Sequence, residues 1–226
     1  MRKPVRGLRD NRVLTDNQIA FLEEFVKSDL NNVFRLTGGT ALSAFYLEHR
    51  FSEDLDFFSS EKVPFYLPEE FLKSLGFVDT ITHTKLFDRN IFNLKLKDET
   101  ILKTEFTFYP LKNLEASVAI DGLQVDSFLD ITVNKLCAIS DRLDAKDYVD
   151  VYCALTGNGL NLRELFALAE KKCEIKGIRH ILQSRLLQIP ERVENLPLKV
   201  DITKTDIGNL FKRLVKELLE KEIDCG

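Results

Sequence analysis

The sequence predicts an α/β (α+β) protein, in which a mixed β-sheet with flanking helices is followed by a C-terminal helical bundle. Apolar residues alternate with period two between residues 77 and 125, which is typical of strands. Helical periodicity and a glycine turn precede this region, and from residue 127 onward only helical periodicity recurs. Because 226 residues suffice for two small domains, we expect a sheet domain at 1–126 and a helical domain at 127–226.

The composition is that of a folded protein without a membrane segment. Apolar residues make up 44% of the chain and charged residues 30%, which is enough apolar surface to offset the entropy of ordering. No run approaches the roughly 18 to 20 consecutive apolar residues of a membrane helix. The net charge of −4 argues against a nucleic-acid coat, so any nucleic-acid contact must be local. Four widely spaced cysteines predict reduced thiols and a cytoplasmic location.

The predicted sheet domain begins with a basic arm and an amphipathic helix. Residues 1–13 lack apolar periodicity and predict an extended arm. Thr15 and Gln18 have the spacing of a capping box, and an apolar stripe follows them. Turn signals divide residues 77–125 into a meander of about four strands. Before that meander, the sequence predicts short strands at 33–36 and 51–58 and helices at 41–48 and 68–75.

The C-terminal half has the periodicity of amphipathic helices throughout. Asn161 and Glu164 repeat the capping-box spacing at the start of one of them. Breaks are predicted at residues 157–159 and at Pro190. The predicted helices span 127–142, 146–156, 162–173, 178–188 and 204–222.

The stretch with the clearest chemical signal joins a glycine turn to an acidic strand. In a strand, residues two apart lie on one face, so Asp54 and Asp56 are expected side by side while Leu55 enters the core. Two adjacent carboxylates repel each other, and Mg²⁺ is the cation that oxygen ligands of this kind hold together with phosphates. The Gly38–Gly39 turn offers backbone N–H groups to phosphate oxygens without a Cβ in the way.

Each of these two features alone has an ordinary structural explanation. A glycine pair is commonly a plain turn, and an Asp-x-Asp pattern is commonly an exposed acidic strand. Their combination favours function, because the strand buries Leu55 and Phe57 beside two groups that resist burial.

The turn and the acidic strand resemble the AbiEii/AbiGii toxin family of polymerase-β-like nucleotidyltransferases, over the stretches Gly38-Gly39-Thr40-Ala41-Leu42-Ser43 and His49-Arg50-Phe51-Ser52-Glu53-Asp54-Leu55-Asp56. The resemblance implies a nucleotidyltransferase-type sheet and a catalytic site for Mg²⁺, with Mn²⁺ as an alternative, at Asp54 and Asp56. Glu105 is the candidate third carboxylate of that site, and a solvated strand face is its alternative interpretation. The nucleotide contacts implied by the resemblance are Gly38, Gly39, Thr40, Ser43 and Ser52, with Arg50 in support.

A second stretch, residues 130–150, is similar to the family's Lys…Arg…Asp-x-x-Asp signature. Lys135 and Arg142 are seven residues apart and share a helix face, as do Asp147 and Asp150 on the next helix. A solvated salt-bridge pattern is the alternative interpretation of such charges. The resemblance implies that Lys135 binds the nucleotide phosphates, that Asp147 and Asp150 lie in an active-site cleft between the two halves, and that Arg142 anchors the hairpin.

The function implied by the resemblance is Mg²⁺-dependent transfer of a nucleoside monophosphate from a nucleoside triphosphate (NTP) to an acceptor hydroxyl. It also implies a toxin of a type IV toxin–antitoxin or abortive infection system, with tRNA as the acceptor in some members and a cognate antitoxin encoded nearby. Three alternatives stay open: a small-molecule, antibiotic-type nucleotidyltransferase, a non-catalytic nucleotide-binding regulatory protein, and a pure interaction module.

Two basic segments are candidates for contact with an RNA acceptor. Residues 171–192 contain six Lys or Arg against two acids, and the first 12 residues are rich in Arg. If RNA binds, its backbone needs such a concentration of positive charge in an acidic protein. A solvated helix face is the alternative for residues 171–192. Lys172, Lys176 and Arg179 are the predicted contacts.

Overall fold

The structure is a computed structural model that describes residues 3–224, with side chains described for residues 3–220. The chain forms two compact units, Met1–Phe128 and Leu129–Gly226. Within the described residues, none of the helices has the length and apolar character required to cross a membrane.

The first unit is built on a seven-stranded mixed sheet with the order β3-β4-β5-β2-β1-β7-β6. β1 pairs antiparallel with β2 and parallel with β7, whereas β2 pairs parallel with β5. The remaining neighbours are antiparallel. The strands are β1 (Arg35–Thr37), β2 (Leu55–Ser59), β3 (Val78–Leu86), β4 (Arg89–Leu96), β5 (Ile101–Phe108), β6 (Val118–Ile120) and β7 (Leu123–Val125).

Three α-helices accompany the sheet. The capping box predicted at the start of the first helix is confirmed, because Thr15 and Gln18 each accept a hydrogen bond from the other's backbone N–H. The helices are α1 (Asp16–Lys27), α2 (Gly38–Leu42) and α3 (Tyr66–Ser74). A 3-10 turn (Asp29–Asn32) follows α1, and a π turn (Ser43–Leu47) continues α2.

An aromatic core holds the acidic strand in place. Phe57 of β2 stacks on Phe106 of β5 with 5.1 Å between ring centroids, and Phe25 of α1 lies 4.3 Å from the ring of Phe57. Along β2 the residues alternate between buried and half-buried, as the period-two pattern predicts. The apolar face of β2 therefore anchors the strand while its acidic residues stay on the other face.

The second unit contains helices at the positions that the sequence predicts. Asn161 caps its helix by accepting the backbone N–H of Arg163 at 2.8 Å. The helices are α4 (Phe128–Asp141), α5 (Ala145–Leu155), α6 (Leu162–Cys173), α7 (Ile178–Leu186) and α8 (Lys204–Asp224), with a 3-10 turn at Val193–Asn195.

The expected extended arm at residues 1–13 is wrong for its described part. Leu8 and Val13 are buried, and the backbone N–H of Val5 donates to Phe45 O at 2.8 Å. Two isolated apolar residues anchor this segment without any periodicity, so the helical and strand patterns did not reveal it. Residues 1 and 2 lie outside the described residues.

The predicted meander is confirmed for β3, β4 and β5, which pair antiparallel in chain order, but it does not continue into β6 and β7, which are separated from β5 by β2 and β1. Five strands, rather than about four, lie between residues 77 and 125. β5 pairs parallel with β2, the acidic strand, which precedes it by more than 40 residues. This pairing places the β3–β5 segment beside β2. Strand β2 also begins at Leu55 and not at residue 51. Pairing between distant segments leaves no trace in local periodicity.

The expectation of reduced thiols is wrong for two of the cysteines. Cys137 of α4 and Cys173 of α6 form a disulfide, with 6.7 Å between their Cα atoms. They are 36 residues apart in sequence, so their proximity depends on helix packing and not on a local motif. Cys153 is buried and does not take part in this disulfide, and Cys225 lies outside the described residues.

Candidate active site

Three strands, β1, β2 and β5, meet near the carboxylates of Asp54, Asp56 and Glu105, and we call this cluster the acidic edge. Asp56 stands opposite Thr37 of β1 and opposite Glu105 of β5 in the sheet register. Asp54 immediately precedes β2, and both aspartates are half-buried. The structure therefore brings the predicted Asp-x-Asp pair together with the glycine turn that follows β1.

The glycine turn fits tightly against this edge. Gly38 has a φ of +74°, and a Cβ at this position would collide with Asp56 Oδ2. A Cβ at Gly39 would collide with Arg50 Nη2 and lie 3.3 Å from Ser52 Oγ. Glycine is required at position 38 by its positive φ and by the approach of Asp56, whereas a side chain at position 39 would have to displace the guanidinium of Arg50.

Substituting Gly38 with alanine tests the close contact between the glycine turn and Asp56. We expect Gly38→Ala to lower nucleotidyl transfer by about 100-fold, since displacing a site group by roughly 1 Å has effects of that size. The added Cβ must push Asp56 aside, and a φ of +74° is strained for alanine. The comparison is with Gly76→Ala, because a Cβ at Gly76 meets nothing within 4 Å. Equal activity of the two variants would contradict a function of the contact between Gly38 and Asp56 in transfer.

Buried hydroxyl groups hold the backbone of the site. Thr40 Oγ1 donates to Asp54 O, and Ser43 Oγ donates to Arg50 O. Thr40 and Ser43 are fully buried, and Arg50, which is also buried, donates from Nη1 to Phe51 O at 3.1 Å. This geometry gives both hydroxyls a positioning function, which differs from the nucleotide contact that the sequence suggests.

Gln18 is a positioning residue that the motifs did not reveal. Its Oε1 accepts the backbone N–H of Thr15 at 2.9 Å as part of the capping box. Its Nε2 donates to Ser52 O at 2.9 Å and to Glu53 O at 3.1 Å. One buried side chain thus ties α1 to the loop that leads into the acidic strand.

Gln18→Glu separates these two functions of Gln18, because glutamate keeps the capping box and loses the Nε2 donors. We expect a loss of about 1–3 kcal/mol in unfolding free energy, because the carbonyl groups of Ser52 and Glu53 lose a donor and face a carboxylate instead. Transfer activity should fall as well. The matched control, Thr15→Ala, removes the cap at a cost of about 1 kcal/mol and keeps the loop anchor. Urea denaturation and a transfer assay on both variants check this, and full activity of Gln18→Glu would contradict it.

Lys103 of β5 is a second side chain that the sequence reasoning missed. Its Nζ donates to Asp54 Oδ2 at 2.8 Å. Burial lowers the pKa of Lys103, but the hydrogen bond that its ammonium donates to Asp54 and the charges of Asp54, Asp56 and Glu105 outweigh this effect, so the pKa lies above its usual value. The ammonium is therefore charged, and it interacts electrostatically with all three carboxylates of the acidic edge. Its signal in the sequence is its place two residues before Glu105, on the same strand face.

Glu105 is held by its own cationic partner. Arg89 Nε and Nη2 donate to its two carboxylate oxygens, each at 2.6 Å, and Thr107 Oγ1 donates to Oε1 at 2.6 Å. Among the described residues, no group of three or more His, Cys, Asp or Glu side chains is arranged to hold a metal ion. Glu105 as a third metal ligand stays a prediction, and the register places it beside Asp56.

The donor atoms of the acidic edge fit a hard divalent cation. Asp54 and Asp56 present half-exposed carboxylate oxygens, which are the ligands that Mg²⁺ takes in proteins. The turn approaches Asp56 with its backbone alone, because the Gly38 position has no room for a side chain. The residues present therefore suit Mg²⁺ together with a phosphate group.

The second predicted cluster forms a buried charge network between α4 and α5. Lys135 Nζ lies 2.9 Å from Asp147 Oδ1 and 2.9 Å from Asp150 Oδ2. Arg142 Nε donates to Asp147 Oδ2 at 2.8 Å. Both aspartates are fully buried, and the Lys135 side chain is 12% exposed. A solvated surface pattern is excluded for Lys135, Asp147 and Asp150, whereas the Arg142 side chain is 52% exposed. The four residues are brought together as the spacing predicts.

The RNA contact expected at residues 171–192 is wrong for Lys172. Lys172 and Asp130 form a fully buried ion pair with 2.6 Å between Nζ and Oδ1, so Lys172 is not accessible to RNA. Arg179 pairs with Glu170 at 3.0 Å. In the basic N-terminal segment, Arg6 pairs with Glu48 and Arg9 pairs with Glu23. Lys171 and Lys176 remain exposed.

Comparison with known proteins shows relatives over nearly the whole chain. The profile of the family described as nucleotidyl transferase AbiEii toxin, type IV TA system, matches residues 20–224. An uncharacterized protein, aq_aa25, of Aquifex aeolicus (strain VF5) is 31% identical over 215 residues, covering 92% of this chain and 99% of that protein. The resemblance drawn from the two motifs is confirmed.

Solved structures share the fold. JHP933 from Helicobacter pylori superposes with a TM-score of 0.56 at 21% identity, covering 91% of this chain and 92% of that chain. MenT4, the nucleotidyltransferase toxin Rv2826c from Mycobacterium tuberculosis H37Rv, gives a TM-score of 0.62 at 13% identity, with coverages of 85% and 79%. These likenesses confirm the predicted fold class. The chain belongs to the AbiEii family of nucleotidyltransferase toxins of type IV toxin–antitoxin systems.

Proposed function

We propose that this enzyme transfers a nucleoside monophosphate from an NTP to an acceptor hydroxyl at the acidic edge, with Asp54 and Asp56 as catalytic residues. The observation that carries the proposal is the close approach of Asp56 to Gly38, which puts a carboxylate directly beside the backbone of the glycine turn. The family supports the nucleotidyl transfer chemistry. The metal, the acceptor and the residue roles are the proposed part.

In this mechanism the first unit binds and orients the triphosphate. Backbone N–H groups of the Gly38–Gly39 turn and the Ser52 hydroxyl bind phosphate oxygens. Asp54 and Asp56 hold Mg²⁺, with Mn²⁺ as an alternative. When bound, the metal neutralises charge on the triphosphate and lowers the pKa of the acceptor hydroxyl. The acceptor hydroxyl gives up its proton to solvent, its oxygen bonds to the α-phosphorus, the bond from that phosphorus to the bridging oxygen breaks, and pyrophosphate leaves.

For the second unit, we propose that Lys135 binds the triphosphate and that Asp147 positions the lysine. Support comes from the family resemblance and from the two ion pairs that fix the Lys135 ammonium. A triphosphate would compete with Asp147 and Asp150 for this ammonium as a charge partner. Arg142, which directly follows the helix that carries Lys135, binds Asp147 and would keep the carboxylate oriented after that exchange.

The proposed acceptor is tRNA, and the proposed partner is a cognate antitoxin encoded nearby, both in the cytoplasm. Membership of a type IV toxin–antitoxin family supports the antitoxin. Because the buried Lys172 and the paired arginines remove much of the expected track, an RNA contact would rely on the remaining exposed cations, which include Lys171 and Lys176.

The experiment is to incubate the enzyme and Mg²⁺ with each of the four α-labelled NTPs, in the presence of total tRNA or a panel of hydroxyl-bearing antibiotics. We expect label on tRNA with at least one nucleotide and no label after chelation of the metal. Label on an antibiotic would show that the acceptor is a small molecule and would contradict the proposal of tRNA. Nucleotide binding without turnover would favour a regulatory protein, and binding of neither nucleotide nor acceptor would favour an interaction module.

A further inference from the structure

A lysine lies where a cation is needed at the acidic edge. Lys103 Nζ is 2.8 Å from Asp54 Oδ2, and the two side chains are equally exposed, at 37% each. The parallel register of β2 and β5 pairs Leu55 with Thr104, which sets Lys103 level with Asp54. The contact therefore follows from strand pairing and is held by the sheet.

The position of Lys103 has opposite consequences for the two ligands of the site. Asp54 and Asp56 repel each other, and the ammonium relieves that repulsion in the protein alone. A divalent cation arriving by itself must compete with the ammonium for Asp54. A metal that arrives with a triphosphate brings negative charge, and the ammonium then attracts the phosphates while it releases the carboxylate.

We propose that Lys103 is a built-in counter-ion that couples metal binding to nucleotide binding at Asp54. In the protein without ligands, it holds Asp54 and weakens the affinity for a free divalent cation. With the NTP present, it turns to the phosphates and the metal takes its place on Asp54. This inference rests on the proposed function, and it names Lys103 as a positioning residue that acts through Asp54.

A purely structural ion pair makes a different prediction. If Lys103 only pairs with Asp54 and never contacts the nucleotide, its replacement would leave the effect of the nucleotide on metal binding unchanged. The chain offers a matched control in Lys95 of β4, which pairs with Glu99 at 2.7 Å and has a side chain that is 43% exposed. Lys95 and Lys103 have the same charge, a similar exposure and neighbouring strands, and they differ in their carboxylate partner.

The test measures Mn²⁺ binding by electron paramagnetic resonance, with and without a non-hydrolysable NTP analogue. Without the analogue, Lys103→Gln should bind Mn²⁺ about tenfold more tightly than the unaltered protein, because a positive charge next to a metal ligand is lost. The analogue should strengthen Mn²⁺ binding to the unaltered protein and have a smaller effect on Lys103→Gln. Lys103→Arg, which keeps the charge, and Lys95→Gln should behave like the unaltered protein.

Two outcomes would overturn the inference, and they are distinguishable. If the unaltered protein and Lys103→Gln bind Mn²⁺ equally, with equal effects of the analogue, then Lys103 is a structural ion pair and the proposed metal site stands. If the unaltered protein binds no Mn²⁺ even with the analogue, both the inference and the proposed metal dependence fail. Circular dichroism of each variant confirms that the compared proteins are folded.

Discussion

Replacing Asp56 with asparagine is expected to abolish nucleotidyl transfer, and Asp54→Asn is expected to have a similar effect. We expect a loss of about 1,000-fold or more, because a metal ion supplies several kcal/mol of charge stabilisation that the amide cannot recruit. Asparagine keeps the size of the side chain, and both aspartates are half-buried on a strand whose other face is anchored by Phe57. The fold should therefore survive the change.

The measurement for Asp56→Asn is transfer of α-labelled nucleotide in Mg²⁺, with circular dichroism as the check on folding. Glu53→Gln is the matched control, because Glu53 is an exposed acid one residue from Asp54. It should retain the activity of the unaltered enzyme. Activity of folded Asp56→Asn at the level of this control would remove Asp56 from the site.

Replacing Lys172 with methionine should strongly destabilise the second unit. Lys172 and Asp130 are fully buried at 2.6 Å, and the loss of one partner of a buried ion pair costs about 3–5 kcal/mol. The neighbouring Lys171 is exposed, so Lys171→Met should change the unfolding free energy by only about 0.5 kcal/mol or less. Urea denaturation of both variants, under identical redox conditions, checks the difference.

A double variant tests whether the cost arises from the uncompensated charge. Lys172→Met combined with Asp130→Leu removes both charges, and hydrophobic replacement of a buried ion pair is often neutral or stabilising. The double variant should therefore regain most of the stability that Lys172→Met loses. Equal stability of Lys172→Met and Lys171→Met would contradict the buried pair. Reversal of charge at Lys172 is consequently unsuitable as a probe of RNA binding.

The helices of the second unit could be predicted closely from sequence, whereas the strand order of the first could not. A helix such as Leu162–Cys173 declares itself locally, through its apolar period and its Asn161 cap. The place of β5 beside β2 depends on pairing across more than 40 residues. The disulfide between Cys137 and Cys173 and the ion pair of Lys172 likewise depend on how distant helices pack.

The residues of the candidate site also fall into those that local sequence predicts and those that depend on contacts between distant segments. Gly38, Asp54 and Asp56 are close in sequence, and their spacing was enough to predict that they meet. Gln18 and Lys103 reach the same loop and strand from 34 and 49 residues away, and they looked like an ordinary helix cap and an ordinary strand residue. The residues that support the site are therefore the ones that needed the structure.

The location of the metal and the triphosphate is the central claim, and a crystal containing Mn²⁺ and a non-hydrolysable NTP analogue tests it most directly. Mn²⁺ is visible through its anomalous scattering, independently of the protein density. We predict an anomalous peak about 2.1 Å from carboxylate oxygens of both Asp54 and Asp56. Density for the phosphates should lie against the Gly38–Gly39 turn. A peak bound elsewhere, with neither aspartate among its ligands while the analogue is present, would contradict the account.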